Sequence, residues 1–269
     1  MLRLLFAILI LSGAGAVCAA VLTVAARLFA KEAGGGRAEE IRELLPGLNC
    51  GACGYAGCDG YSKALLHGEA SVDLCTPGGE ATTQALAEYF GICSNKNTLK
   101  YRAFVHCGGK QGVCQSDFRM IGGSYCAGKK LLFGGNTLCK SACLGCGDCA
   151  EVCPTDAIEI KDECATVDQN RCIGCGLCVE ECPRTLIELI PLGICAAVRC
   201  SSHERGGNVR EKCVVGCIAC KKCENTCNWE AVKVVDRLAV INSEKCTCCG
   251  ECAAVCPVGC IIMPDQMKK

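Results

Sequence analysis

The side chains equipped for chemistry in this chain are its cysteines, 32 of 269 residues. They stand at 143, 146, 149 and 153, then at 172, 175, 178 and 182, and the same pattern returns at 217, 220, 223 and 227 and at 246, 249, 252 and 256. Each member of the second set lies 74 residues beyond its counterpart, 217 minus 143 for the first pair. Cys139 and Cys213 obey the same offset, as do Cys126 and Cys200. The chain therefore holds four runs of Cys-x2-Cys-x2-Cys-x3-Cys, three of them closed by Pro154, Pro183 and Pro257. Thiolates at this spacing hold [4Fe–4S] clusters in pairs, the fourth Cys of one run ligating the cluster of the other. The chemistry is electron transfer.

This is the bacterial ferredoxin pattern, written twice. It predicts one cluster on Cys143, Cys146, Cys149 and Cys182 and a second on Cys172, Cys175, Cys178 and Cys153. In the second copy the sets are Cys217, Cys220, Cys223 with Cys256, and Cys246, Cys249, Cys252 with Cys227. Crossed ligation requires short loops, a helix after the third Cys of each run and a pair of strands. Strands are expected at 157–160 and 164–167 and again at 231–235 and 238–241, so the fold class is α+β. The 74-residue alignment matches Cys164 to Leu238, Cys260 to Leu186 and Cys195 to Ile121, which reads these three as apolar core positions. Cys248 aligns with Gly174 and reads as a spare thiol. Cys227 is followed by Asn228 and Trp229 instead of proline; ligation needs only the thiolate, so that cluster is expected to form with an altered potential.

A separate site precedes the repeat. Cys50, Cys53 and Cys58 lie in a glycine-rich loop, with Cys75 beyond. Four thiols at these intervals surround one metal, either a [4Fe–4S] cluster or zinc. Helices are expected at 39–45, stopping at Pro46, and at 80–90 with Ala85, Leu86 and Tyr89 on one face. Between this site and the repeat, residues 92–138 show no regular run. Cys107, Cys114, Cys126 and Cys139 are read there as ligands of a candidate extra cluster, with Cys93 an alternative to Cys114; the competing reading is buried thiols beside neighbouring clusters. Cys200 and Cys213 repeat Cys126 and Cys139, and the second copy shows no counterpart of Cys107.

Composition supports metal over disulfide. Cysteine makes up about 12% of the chain and aromatic residues 4%, so thiolate-held clusters must organise an interior short of large side chains. The apo protein is expected to be largely unfolded. A formal net charge of zero gives no argument for nucleic acid. Residues 4–26 carry no charge and are long enough to span a bilayer as one helix, whereas a signal-peptide core runs to about 7–15 residues. Positive residues follow the span at Arg27, Lys31, Arg37 and Arg42, which places the cluster domains on the cytoplasmic side of an inner membrane. The organisation expected is an anchor at 1–29, a linker at 30–37 and a small cluster domain at 38–92. A connecting region at 93–138 leads into ferredoxin modules at 139–192 and 193–269.

Cys50-Gly-Ala-Cys53-Gly-Tyr-Ala-Gly-Cys58 with Cys75 resembles the small [4Fe–4S] domain of the B subunit of Rnf complexes. The order of anchor, small domain and ferredoxin modules is similar to that family, as are the stretches 143–149 and 214–223. The resemblance implies an electron-transfer subunit of a membrane-bound, ion-translocating ferredoxin:NAD oxidoreductase. Its partners would be reduced ferredoxin and other subunits, with five [4Fe–4S] clusters and a sixth in question. Many relatives have an apolar residue at the place of Cys146. The alternative is a polyferredoxin wiring subunit of another membrane complex, such as a hydrogenase. No dinucleotide fingerprint, phosphate loop or Ser/His/Asp arrangement occurs, and His67, His106 and His203 read as surface or supporting residues. Arg205, Arg210, Lys212, Lys221 and Lys222 form a candidate docking face for an acidic ferredoxin.

Overall fold

The computed structural model describes residues 15, 18–21, 24, 35–92, 101–118 and 125–263. Most of the expected anchor, and Cys93, lie outside the described residues. Among those described no helix is long and apolar enough to cross a membrane. The chain divides into two compact units, 1–95 and 96–269.

The first unit carries α1 (Gly35–Glu43), α2 (Gly57–Leu66) and α3 (Gly79–Phe90). They close on Ile41, Tyr61, Leu65 and Leu86, with Cys58 and Cys75 in the same core. α1 begins earlier than Glu39 because Ala38 and Ile41 are buried, and that burial offsets the cost of starting a helix in glycine. α3 buries Thr82, Thr83, Leu86 and Ala87, with Ala85 and Tyr89 at the margin, and ends on left-handed Gly91 at φ 66°.

The second unit contains both copies of the repeat. Each has an antiparallel hairpin, β2 (Ile158–Lys161) with β3 (Cys164–Val167) and β6 (Val232–Val235) with β7 (Leu238–Ile241). The turns Asp162-Glu163 (φ 50° and 61°) and Asp236-Arg237 (φ 44° and 65°) are both left-handed, the two-residue form that matches strand twist. Short helices begin one residue before the third Cys of each run, not after it, and so contain it: α5 (Asp148–Glu151), α6 (Leu177–Glu181), α8 (Lys222–Thr226) and α9 (Glu251–Ala254). Two more, α4 (Cys126–Leu131) and α7 (Gly206–Lys212), each precede the first run of a copy.

A second two-stranded sheet in each copy uses chain from upstream. β1 (Tyr101–Val105) pairs with β4 (Ile187–Pro191), and β5 (Ala197–Val198) pairs with β8 (Ile261–Ile262). Val105 faces Ile187 and Val198 faces Ile261, so β1 and β5 are equivalent by register. The stretch at 92–138 thus supplies a strand to the first module, which sequence periodicity over five residues did not reveal.

Candidate metal centres

In the first unit, Cys50, Cys53 and Cys58 come from the loop before α2 and its first turn, and Cys75 approaches from the loop before α3. Asn49 in a left-handed conformation turns its side chain to accept from the Cys58 N–H at 2.9 Å. Burial raises the Cys75 thiol pKa, the Gly78 N–H opposes it, and the charges of Cys58, Cys50 and Cys53 raise it further.

The same signature marks three ferredoxin sets. Burial pushes Cys178 up to about 12, and Cys172, Cys175 and Cys153 add their charges. Cys223 is raised to about 11 by burial, opposed by the Glu224 N–H and reinforced by Cys217, Cys256 and Cys220. Cys252 is raised chiefly by burial, with Cys246, Cys249 and Cys227 around it. Cys217, Cys220, Cys223 and Cys256 line one space of about 310 Å³. Thiols gathered in fours, each group with at least one buried member whose ionisation its neighbours disfavour, fit a cationic iron–sulfur group that holds them as thiolates. Backbone N–H groups meet the sulfurs as well: Ala157 donates to Cys153 Sγ at 3.3 Å and Leu186 to Cys182 Sγ at 3.4 Å.

The remaining set differs. A space of about 380 Å³ is lined by Cys143, Cys149 and Cys182 together with Cys126. Burial pushes Cys149 up to about 12, with Cys143, Cys126 and Cys182 the nearest thiol charges. Cys146 points its thiol to the Leu144 carbonyl at 3.8 Å, and its Sγ lies within 4.8 Å of Cys126 Sγ and of an Asp148 carboxylate oxygen. Asp148 also accepts from the Cys126 N–H at 2.7 Å, which seats the start of α4. Cys126 is therefore separated from Cys107, Cys114 and Cys139, with which the sequence reading grouped it.

Two further readings are corrected by the structure. The counterpart of Cys200 is Cys107, not Cys126: Cys107 Sγ accepts from Gly109 and Cys143 N–H groups at 3.4 Å each, and Cys200 Sγ accepts from Ser202 at 3.5 Å and Cys217 at 3.3 Å. An insertion in the first copy hid this, because Cys107 and Cys139 are 32 residues apart and Cys200 and Cys213 only 13. Cys195 is no apolar filler and Cys248 no spare thiol: they form a disulfide with Cα atoms 4.7 Å apart. Position 248 corresponds to Gly174, which faces Tyr101 at the start of β1, so the same contact in the second copy brings Cys248 against the approach to β5. Cys164 and Cys260 are buried within the cores, as their alignment with leucine predicts.

The fold and its thiol groups define an iron–sulfur protein of ferredoxin type. Family models agree: one described as a putative Fe-S cluster matches residues 45–77, a 4Fe-4S dicluster domain matches 142–186, and a 4Fe-4S binding domain matches 216–230. Over 255 residues the chain is 35% identical to the B subunit of the ion-translocating oxidoreductase complex of Methanosarcina acetivorans, covering 94% of this chain and 96% of that one. It is 35% identical to the B subunit of the Na(+)-translocating ferredoxin:NAD(+) oxidoreductase complex of Acetobacterium woodii, over 82% of this chain and 66% of that one. The proton-translocating counterpart of Clostridium ljungdahlii is 36% identical over 82% and 79%. The chain belongs to the family of B subunits of ion-translocating oxidoreductase complexes, as an electron-transfer subunit.

Proposed function

We propose that this chain accepts electrons from reduced ferredoxin and relays them through five [4Fe–4S] clusters toward partner subunits that carry NAD chemistry and ion movement. The observation that carries the reading is five separate groups of four thiols in one chain, each group with at least one buried member. The ligands are Cys50, Cys53, Cys58 and Cys75; Cys172, Cys175, Cys178 and Cys153; Cys217, Cys220, Cys223 and Cys256; and Cys246, Cys249, Cys252 and Cys227. The fifth set is Cys143, Cys149 and Cys182 with one of the adjacent pair Cys126 and Cys146. Each cluster, when bound, takes up and gives back one electron. The protein holds the thiolates, restricts water and sets potentials through N–H groups aimed at sulfur. A single helix over residues 4–26 anchors the chain, with the cluster domains on the cytoplasmic side.

In this reading electrons enter at the second module. Cys220 is exposed, and Lys221 and Lys222 beside it are exposed, as are Arg205 and Arg210. Lys212 is partly buried and paired with Glu204, so it contributes less to an outward field. An acidic ferredoxin would be steered to this edge. Replacing Lys221 and Lys222 together with Glu is expected to slow reduction by ferredoxin several-fold at low salt, with a smaller difference at high salt. Unchanged stopped-flow rates at low salt would remove this docking face. The relay itself is tested by iron and sulfide analysis with redox-titrated electron paramagnetic resonance on anaerobic protein; zinc without sulfide would sink it.

A further inference from the structure

Four cysteines outside the five sets meet in one place. Cys107, Cys139, Cys200 and Cys213 line a single space, as Cys217, Cys220, Cys223 and Cys256 do. Their exposures are 5%, 9%, 8% and 8%. They are not an accidental quartet. Cys107 and Cys200 follow equivalent strands and make equivalent N–H to sulfur hydrogen bonds, while Cys139 and Cys213 each precede the first Cys of a ferredoxin run by four residues. Each copy of the repeat alone supplies half a site, and the contact between copies completes it. The strand extensions hold this register: the His106 N–H donates to the Leu186 carbonyl and the Arg199 N–H to the Cys260 carbonyl, both at 2.7 Å.

From this arrangement we infer that Cys107, Cys139, Cys200 and Cys213 hold a sixth [4Fe–4S] cluster at the seam between the two modules. The inference rests on the relay reading above and extends it. Tetrahedral zinc would need its four sulfurs about 3.8 Å apart, from Zn–S bonds near 2.3 Å. Among the described residues only Cys126, Cys146 and Asp148 bring three such ligand atoms within 4.8 Å of one another, so this quartet is more widely spaced than a zinc site. Positive charge stands by. The Arg199 guanidinium donates to the Cys107 carbonyl at 3.4 Å, and that of Arg184 to the Cys139 carbonyl at 3.2 Å, which balances the excess negative charge of four thiolates around a cluster. Cys114 also reaches this region, forming an antiparallel bridge with Cys213. Its thiol donates to the Gln115 carbonyl at 3.8 Å and hydrogen-bonds with the Cys139 and Cys213 sulfurs. We assign it to positioning: it ties together the segments carrying those two ligands. A cluster here takes one electron from one module and passes one to the other.

The test uses the full chain, purified anaerobically, with iron, zinc and sulfide counted per chain and reduced spins integrated. The wild type is expected to hold about 24 iron atoms, and Cys139→Ala with Cys213→Ala about 20, with one spin component lost. Cys18→Ala, which removes an exposed thiol outside every set, is expected to keep about 24. Should the double variant not accumulate, Cys200→Ala alone is read the same way. A wild-type count of about 20, or about 20 iron with one zinc, would overturn the sixth cluster while leaving the five-cluster relay standing. No iron in any sample would bring down both.

Discussion

Cys126 and Cys146 stand side by side, and only one can complete the set with Cys143, Cys149 and Cys182. Run spacing names Cys146, whereas the cavity is lined by Cys126 and the Cys146 thiol is turned to a carbonyl. Cys126→Ser is therefore expected to remove about four iron atoms, one [4Fe–4S] cluster, and Cys146→Ser to keep them. Iron analysis with electron paramagnetic resonance of both variants checks this; retention in Cys126→Ser with loss in Cys146→Ser would return the ligand to the regular run. The thiol chemistry was legible at this scale because ligand runs are local. Which of two neighbouring thiols turns inward was not, because Cys126 arrives on α4 from 20 residues away and is seated by Asp148. The disulfide between Cys195 and Cys248 was hidden for the same reason, its partners being 53 residues apart.

At the scale of elements, every ferredoxin run bends its backbone the same way. The residue before the second Cys is left-handed in all four, at Gly145, Gly174, Ala219 and Cys248, and so is the residue after it, at Gly147, Gly176, Lys221 and Gly250. Two of these glycines are required by contact as well as by conformation. A Cβ on Gly174 would lie 2.4 Å from the Tyr101 carbonyl oxygen, and one on Gly145 would lie 2.5 Å from that of Glu163. Gly174→Ala is expected to push the ligand loop away from β1, lowering the melting temperature of the holo protein and labilising the cluster on Cys172, Cys175 and Cys178. Ala219→Gly removes a left-handed penalty of about 1 kcal/mol and is expected to raise that temperature slightly. Thermal melts followed by visible absorbance measure both. The hairpins were readable from alternation and came within a residue of expectation. β1 and β5 were not, because neither pairs with a strand close to it in sequence and β5 is only two residues long.

At the scale of the whole molecule, thiols take a large share of the core, most of all in the second unit. Of the sixteen buried residues in the first module's core, eight are cysteine: Cys107, Cys114, Cys139, Cys149, Cys164, Cys172, Cys178 and Cys213. Phe104 is the one buried phenylalanine among the described residues, and it packs with Ala197 and Ile262 in a small cluster of its own. A core of this kind has little apolar area to offset chain entropy once its metal is gone. Anaerobic removal of iron by a chelator is expected to abolish most far-ultraviolet circular dichroism of the chain. Reconstitution with iron and sulfide is expected to restore it. A chelated protein that kept its ellipticity and cooperative melting would show that the polypeptide folds on its own.

The sequence by itself determined that this is an iron–sulfur relay, how many ferredoxin runs it holds and which family it resembles. Those features depend on thiols a few residues apart, and a spacing that short survives unchanged from chain to fold. Only the tertiary structure decided that the repeat begins upstream at β1 and β5, that Cys126 leaves its expected companions for the first module, and that four other cysteines from two copies converge. Pairing between distant strands leaves no period in a sequence, and an insertion in one copy erases the offset by which equivalence would be read.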